Sequence, residues 1–397
     1  MKKIHLYLSL PFGILLTLIC FSGAMLVFEK EITRLLHPER TRVERVAEAA
    51  LPLDTLIHRV SATLPDSVSI TSVAVYADPQ QAWKFTLSKP RKASLMVNPY
   101  TAKILPESGR THFFATMFRL HRWLLGPAKA ADGSIGWGKL LVGISTIAFV
   151  FVILTGIAVW WPRTRQALRN SLKVPFHRGF RPFARGAHVA LGVYTSLFLL
   201  VMSLTGLTWS FGWYRDAFYA LFGAQTSATQ HGSVKKEQQE REKGSKAKEK
   251  DTKDKQTSKA DKQKHTARTM AWQTALEQMQ ATCPHYESIT LSPGSASVGS
   301  EQLGNVRAAD KYQLDPHNGT ILSVEKASDA PLSQSLRGWI YSVHAGGFGG
   351  IVTRILWFVT SLIGATLPLT GYYLWWKRIG RRRNTAKVAR PAHKANT

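Results

Sequence analysis

Four long runs without a charged residue dominate the hydrophobic pattern of the chain. They cover residues 4–28, 140–162, 186–214 and 355–376, and charged residues flank each of them. A helix needs roughly 20 apolar residues to cross a hydrocarbon core of about 30 Å, so each run is long enough to span a membrane. The pattern therefore predicts four transmembrane helices.

The first run also has one feature of a signal peptide, because Lys2 and Lys3 precede it. Its apolar stretch, however, is well beyond the roughly 7 to 15 residues of a signal-peptide core. We therefore interpret it as an uncleaved membrane anchor.

The polar regions that follow the first and third runs have the pattern of small α+β modules. A helix-like segment at 53–64 precedes a strand, turn and strand around Pro99, and a helix-like segment at 269–280 precedes a similar pattern around Pro316. Other landmarks match as well: the second run ends LTGIAVWWPR and the fourth ends LTGYYLWWKR. Such matching along the whole chain indicates a duplication.

The two halves differ by a lysine-rich insert at 235–268. The distance from Gly23 to Pro99 is 76 residues and that from Gly206 to Pro316 is 110, so the difference equals the 34 residues of the insert. The insert has no aromatic residue and no apolar periodicity, which predicts a disordered loop. Docking of an acidic partner is the alternative reading.

The predicted fold class is a mainly α membrane protein, with four transmembrane helices in two duplicated halves and small α+β modules on the outer side. The predicted boundaries are transmembrane helices at 1–30, 138–162, 186–214 and 351–376; modules at 31–110 and 269–330; interfacial segments at 111–137 and 331–350; basic segments at 163–185 and 377–397; a connector at 215–234; and the insert at 235–268.

The distribution of basic residues predicts the orientation. The N-terminus carries two Lys or Arg residues, the segment 163–185 carries seven and the segment 377–397 carries eight, with no acidic residue in any of the three. The positive-inside rule places such segments in the cytoplasm, so both termini are expected there. The net charge of +27 follows mostly from this topology, and nucleic-acid binding is not expected.

Four of the thirteen histidines recur at equivalent places in the two halves. His5 and His188 lie at the inner ends of the first and third spans, whereas His121 and His344 lead into the second and fourth spans from the outer side. Paired neutral imidazoles from facing helices are the axial ligands that a haem iron requires. A zinc site would prefer three or four ligands, and no Cys or carboxylate cluster accompanies these pairs.

Any one of these histidines alone would be interpreted as a hydrogen-bonded interfacial residue. The recurrence in both halves instead favours two haem b groups. The other nine histidines have no such counterpart and are predicted to be surface or structural residues. Among them, His112 and His177 are the alternative haem ligands if one of the four assignments is wrong. The two cysteines, Cys20 and Cys283, predict no disulfide framework.

Each span also carries a Ser/Thr–Gly pair. His5 precedes Ser22 by 17 residues and His188 precedes Thr205 by 17, and 17 residues of helix rise about 25 Å. These small residues either give clearance to a haem ring or allow close packing between helices. We expect Ser22-Gly23 and Thr205-Gly206 to lie near the outer face, beside His121 and His344. We expect Thr155-Gly156 and Thr370-Gly371 to lie near the inner face, beside His5 and His188.

Together with the two span ends quoted above, the motifs HLYLSL, LHRWLL, AHVALGVY, LTGLTWS and VHAGGFGG resemble the PepSY-associated transmembrane family of iron-regulated inner-membrane proteins. The resemblance covers essentially the whole chain apart from the insert. It implies PepSY-like modules in the periplasm of a bacterial inner-membrane protein, surrounded by membrane lipid.

The resemblance also implies an activity: a di-haem reductase that passes electrons outward to a ferric siderophore or another periplasmic acceptor, with the haem irons held by His5, His188, His121 and His344. PepSY modules are linked to peptidase inhibition as well. The alternative is therefore a non-enzymatic membrane protein whose modules bind or regulate an envelope peptidase.

The sequence predicts no binding domain for the electron donor. No GxGxxG motif follows a strand, and the basic segments are far too short to form a domain. The electrons of a reductase would therefore come from a cytoplasmic partner reductase, a reduced flavin or quinol. Near the outer histidines, Arg119, Arg122 and Arg337 are expected to attract an anionic chelate or to pair with haem propionates. No further catalytic residue is predicted.

Overall fold

A computed structural model describes residues 1–90, 93–106, 109–130, 133–224, 271–299 and 304–388, with side chains to residue 380. The predicted insert at 235–268 and the end of the basic tail lie outside the described residues. The chain divides into two compact units. The helical unit consists of Met1–Glu29, His112–Phe218 and Val343–Thr397, and the sheet unit consists of Lys30–Thr111 and Tyr219–Ser342.

The described residues are mainly helical. The helices are α1 (Lys2–Val27), α2 (Glu29–Leu36), α3 (Leu53–Ala62), α4 (His112–Trp123), α5 (Trp137–Trp160), α6 (Arg165–Ser171), α7 (Phe180–Ser210), α8 (Gly212–Leu221), α9 (Trp272–Thr282), α10 (Leu332–His344) and α11 (Gly350–Val388). The strands are β1 (Ile70–Tyr76), β2 (Trp83–Leu87), β3 (Ser94–Val97), β4 (Ser288–Ser292), β5 (Ser295–Gly299), β6 (Ala309–Leu314) and β7 (Ile321–Glu325).

Among the described residues, four helical stretches are long and apolar enough to cross a membrane, as the sequence predicts. They are α1, α5, α7 and the stretch Gly347–Gly380 that includes most of α11. Both α1 and α7 pack against α5 and α11, so the four helices form a ring with α1 and α7 on opposite corners. Close approach of α1 and α11 depends on Gly13, where a Cβ atom would lie 2.6 Å from the Tyr372 hydroxyl oxygen.

The strands of the sheet unit form one antiparallel sheet in the order β3-β2-β1-β4-β5-β6-β7. At its centre β1 pairs with β4, where Val73 lies opposite Leu291 and Val75 lies opposite Ile289. All four side chains are buried. The sequence predicts two modules, whereas in the structure the strands of both segments share this sheet, because the pairing of β1 with β4 removes two exposed edges.

Helices α3 and α9 contribute to the core of the sheet unit. Leu56 of α3 and Met279 of α9 are fully buried in one cluster with Phe85 and Ile289 of the strands. Full burial of such side chains contributes about 1.5–3 kcal/mol each. The apolar positions of these helices and the alternating positions of the strands therefore stabilise one common core.

The N-termini of α3 and α9 cap each other. The Asp54 carboxylate accepts hydrogen bonds from the backbone N–H groups of Trp272 (3.3 Å) and Gln273 (3.2 Å), and the Gln273 side-chain oxygen accepts one from the N–H of Leu53 (2.7 Å). The first N–H groups of a helix have no partner within it, so these contacts stabilise both helices.

We expect Asp54→Ala to lower the free energy of unfolding by about 1 kcal/mol, because two helix N–H groups of α9 lose their acceptor. The matched variant Asp54→Asn keeps an acceptor oxygen and should lower it less. Thermal unfolding of the full chain in detergent, followed by tryptophan fluorescence, measures the difference as a shift in the midpoint. Equal midpoints for the wild type and Asp54→Ala would show that the contact contributes nothing.

Candidate functional site

The four recurring histidines lie at two levels of the helical ring. His5 is in the first turn of α1 and His188 is in the third turn of α7, whereas His121 and His344 are near or at the C-terminal ends of α4 and α10. His121 lies beside residues 19–23 of α1, far along that helix from His5. The histidines of each level therefore come from different helices.

Each imidazole makes the same contact with a neighbouring helix. Its Nδ1 atom lies 2.9 to 3.1 Å from a backbone carbonyl oxygen, three residues before the Ser or Thr of a Ser/Thr–Gly pair. A carbonyl oxygen only accepts, so Nδ1 carries the proton and Nε2 has a free lone pair. The contacts are His5 with Val152, His188 with Leu367, His121 with Ile19 and His344 with Met202.

The glycine of each Ser/Thr–Gly pair makes room for the edge of an imidazole. A Cβ atom at that position would lie close to the Cε1 atom of the ring. In three of the four places the distance would be shorter than most real contacts of a Cβ atom. The sequence suggests ring clearance for a haem or helix packing, and in the structure an imidazole lies against each glycine. The distances from a Cβ atom to Cε1 would be 2.8 Å at Gly23 (His121), 3.0 Å at Gly206 (His344), 3.2 Å at Gly156 (His5) and 3.6 Å at Gly371 (His188).

The ring separation of the outer pair matches that of two imidazoles bound to one metal ion. The ring centroids of His121 and His344 are 6.1 Å apart, and the ring planes are inclined by 47°. A metal–imidazole bond is about 2 Å long, so two imidazoles on opposite sides of one metal ion have ring centroids about 6 Å apart. The indole of Trp209 packs edge-on against His344 at 5.1 Å and fixes its ring from another side.

Burial favours the neutral form of both outer histidines. It lowers the pKa of His121 and lowers the pKa of His344 to about 4. The positive charge of Arg122 acts in the same direction at both, and the hydrogen bonds to the backbone carbonyls oppose it. A neutral imidazole keeps the Nε2 lone pair that a metal ligand needs.

Within the described part of the chain, the rings of His5 and His188 are not in contact, whereas those of the outer pair are. Both inner histidines still hold Nδ1 on a carbonyl oxygen of a neighbouring helix, as the outer histidines do.

No larger metal-binding cluster accompanies these pairs. Among the residues that the structure describes, no three His, Cys, Asp or Glu side chains come together to hold a metal ion. A haem iron needs only two axial protein ligands, since the porphyrin supplies the other four, and each pair offers two. The alternative haem ligands named from the sequence, His112 and His177, are both exposed.

Of the three arginines predicted near the outer pair, Arg122 is the one whose charge acts on both histidines. Its guanidinium lies over the ring of Phe118, 5.3 Å from the centroid. Arg119 instead donates a hydrogen bond to the carbonyl of Leu125 (2.8 Å), and Arg337 belongs to the sheet unit.

Sequence reasoning missed two buried polar groups in the helical unit. The Trp357 indole N–H and the Ser145 hydroxyl have no hydrogen-bond partner among the described residues. Trp357 packs against Gly346, two residues after His344. A buried donor without an acceptor costs about 1–3 kcal/mol, so a bound group with acceptor atoms would stabilise this region. A tryptophan in an apolar run gives no signal of this kind, because it resembles any core residue.

A family model described as the PepSY-associated TM region matches residues 2–378 of the chain. No curated protein matches the sequence. The family match takes in both the helical unit and the sheet unit. Because it covers far more than half of the chain, the protein belongs to the PepSY-associated transmembrane family.

Proposed function

We propose that the protein is a haem-containing inner-membrane reductase that passes electrons outward to a periplasmic ferric chelate and releases Fe(II). The outer histidine pair carries the proposal: two neutral imidazoles with ring centroids 6.1 Å apart, each with Nδ1 held and Nε2 available. His121 and His344 would hold one haem b, and His5 and His188 a second. When bound, a haem iron supplies reversible one-electron chemistry.

The spacing of the two levels supports electron transfer across a membrane. Seventeen residues of α1 separate His5 from Ser22, and they rise about 25 Å. This distance is close to the thickness of a hydrocarbon core, about 30 Å. Two one-electron groups at these levels would connect the two faces of the bilayer.

The charge distribution supports the direction. The basic segments at 163–185 and 377–397 and the N-terminal lysines are proposed to be cytoplasmic by the positive-inside rule. Electrons would then enter at the His5 and His188 level from a partner reductase, a reduced flavin or quinol. The two segments of the sheet unit follow the other ends of α1 and α7 in the chain. They would be periplasmic, and each would belong to one of two duplicated halves.

The proposed acceptor is a ferric chelate such as a siderophore. One electron converts each bound Fe(III) into Fe(II), which hard oxygen ligands hold more weakly, so iron is released. The guanidinium of Arg122 would serve as a partner for an anionic group, either a haem propionate or the chelate.

A second candidate function is the binding of an envelope peptidase by the sheet unit. Strand β7 pairs with β6 and, within the described residues, leaves its other edge open. Leu322 and Val324 on β7 are 65% and 48% exposed. An open edge of this kind can accept a strand from another protein. An absorbance spectrum of the purified protein separates the two functions, since only the reductase requires a haem Soret band.

The direction of electron flow is tested in sided membrane vesicles. Haems are first reduced, and a membrane-impermeant ferric chelate is then added to right-side-out or to inverted vesicles. We expect reoxidation at least tenfold faster in right-side-out vesicles, because the acceptor would meet the outer level only there. The measurement is the decay of the reduced-haem absorbance, with a permeant oxidant as the control for equal haem in both preparations.

Faster reoxidation in inverted vesicles would overturn the outward direction. A lack of reoxidation by any ferric chelate, with the permeant oxidant still active, would exclude ferric chelates as acceptors and leave another periplasmic acceptor for the same electron path.

A further inference from the structure

The hydroxyl groups of the four Ser/Thr–Gly pairs differ in their contacts with the four histidines. In three places a threonine hydroxyl oxygen lies within hydrogen-bonding distance of the histidine Nδ1. The distances are 3.3 Å for Thr155 and His5, 2.9 Å for Thr370 and His188, and 3.1 Å for Thr205 and His344. In the fourth place the residue is Ser22, and its hydroxyl makes no such contact with His121 among the described residues.

The hydroxyl oxygens act as acceptors toward the imidazoles. Each hydroxyl donates its proton to a backbone carbonyl of its own helix at 2.6 to 2.8 Å, so it has only lone pairs left to offer. The Nδ1–H groups of His5, His188 and His344 are therefore shared between a carbonyl and a hydroxyl oxygen. The Nδ1–H of His121 has one acceptor, the carbonyl of Ile19 at 2.9 Å.

The position of the His121 ring accounts for this difference. A Cβ atom on Gly23 would lie 3.1 Å from Nδ1 of His121, whereas the equivalent distance is 3.6 Å at both Gly156 and Gly206. The His121 ring thus sits closer over its glycine than the rings of His5 and His344 do over theirs. At that position Nδ1 reaches the carbonyl of Ile19 but not the hydroxyl of Ser22.

Hydrogen bonds from Nδ1–H make an imidazole a more basic ligand, because they move electron density toward Nε2. A more basic ligand stabilises the more highly charged state of a metal ion and lowers its reduction potential. The inner pair has two acceptors on each Nδ1–H, and the outer pair has two on His344 and one on His121.

We propose that this asymmetry at Ser22 gives the outer site a higher reduction potential than the inner site, and so favours outward electron flow. The inference rests on the proposed haem ligation. One electron would pass from the group held by His5 and His188 to the group held by His121 and His344. No proton is transferred, since all four Nδ1–H groups stay bound to their carbonyls. Arg122 acts in the same direction, because its positive charge near both outer histidines favours the reduced state.

Two variants remove an acceptor and leave Arg122 in place. Thr370→Val removes an acceptor from His188 and should make the inner site tenfold easier to reduce, an upward shift of about 59 mV for one electron. Thr205→Val removes an acceptor from His344 and should raise the outer potential. Thr205→Ser keeps the hydroxyl and is the matched control, expected to stay close to the wild type.

Potentiometric titration of the purified full-length protein, followed by the α-band absorbance of the haems, measures both potentials. The two steps are assigned with His121→Ala, which should leave only the inner one. A raised outer potential in Thr205→Val and a raised inner potential in Thr370→Val, each with the other potential unchanged, support the inference. Two haems per chain with potentials that neither variant moves, or a wild-type outer potential no higher than the inner one, would overturn it. A wild-type protein without haem would instead refute the proposed function itself.

Discussion

Replacement of His121 or His344 with alanine is expected to reduce the bound haem from two per chain to one. The outer haem would keep only one of its two proposed protein ligands, which is too few to hold it firmly. The inner pair is built from other helices, so the second haem should remain. The ratio of haem to protein, measured from the absorbance of the reduced pyridine complex, gives the result directly.

The matched control is His112→Ala, in the same helix as His121 but exposed. It should leave two haems per chain. If His121→Ala and His344→Ala both kept two haems, these residues would not be the ligands, and the proposed outer site would have to be abandoned.

Alanine at Gly23 is expected to remove the outer haem, whereas alanine at Gly371 should leave both haems bound. A Cβ atom at Gly23 would lie 2.8 Å from Cε1 of His121, so the ring has to move away. At Gly371 the same atom would lie 3.6 Å from His188, an ordinary van der Waals distance. The measurement is again the ratio of haem to protein, with thermal unfolding to show that each variant is folded.

Helix propensity makes this pair of variants informative. Alanine favours a helix over glycine by about 1 kcal/mol at both positions, so a loss of haem in Gly23→Ala cannot come from a weaker helix. Equal haem content in Gly23→Ala and Gly371→Ala would show that the imidazole of His121 tolerates displacement, and that its close fit against α1 is not needed for binding.

The transmembrane helices could be predicted because a membrane imposes a length and a composition on each span. The run 140–162 corresponds to α5, Trp137–Trp160. The run 186–214 is displaced from α7, which begins at Phe180 after Gly179, a residue with a positive φ of 84°. Helix ends depend on local backbone conformation rather than on charge, so the charge pattern placed the span but not its first turn.

The sheet was harder to predict than its strands. Alternation identifies β1 and β4 as strands with one buried face, but it does not say which strand lies beside which. Val73 and Leu291 are paired across more than 200 residues, and no local signal connects them. The sequence therefore predicted two modules, and the pairing that makes one sheet was missed.

Sequence analysis could name the histidines of the candidate site but not their hydrogen bonds. Recurrence pointed to His121 and His344, because histidines at matching places along a sequence are unusual. The contacts from Nδ1 to Ile19 and Met202 could not be found in this way, since every residue has a backbone carbonyl. The absence of a hydroxyl contact at Ser22 depends on the exact position of one ring.

The central pairing of β1 with β4 also determines when the sheet can form during synthesis of the chain. Val73 leaves the ribosome about 220 residues before its partner Leu291. At a synthesis rate of roughly 5–20 residues per second, the edge of β1 stays unpaired for on the order of 10 to 40 s, while α5 and α7 are still being made. During that interval the first three strands have an open, apolar edge. Until β4 has been made, this edge can pair with a strand of another chain, so the newly made protein is most prone to aggregation in that interval.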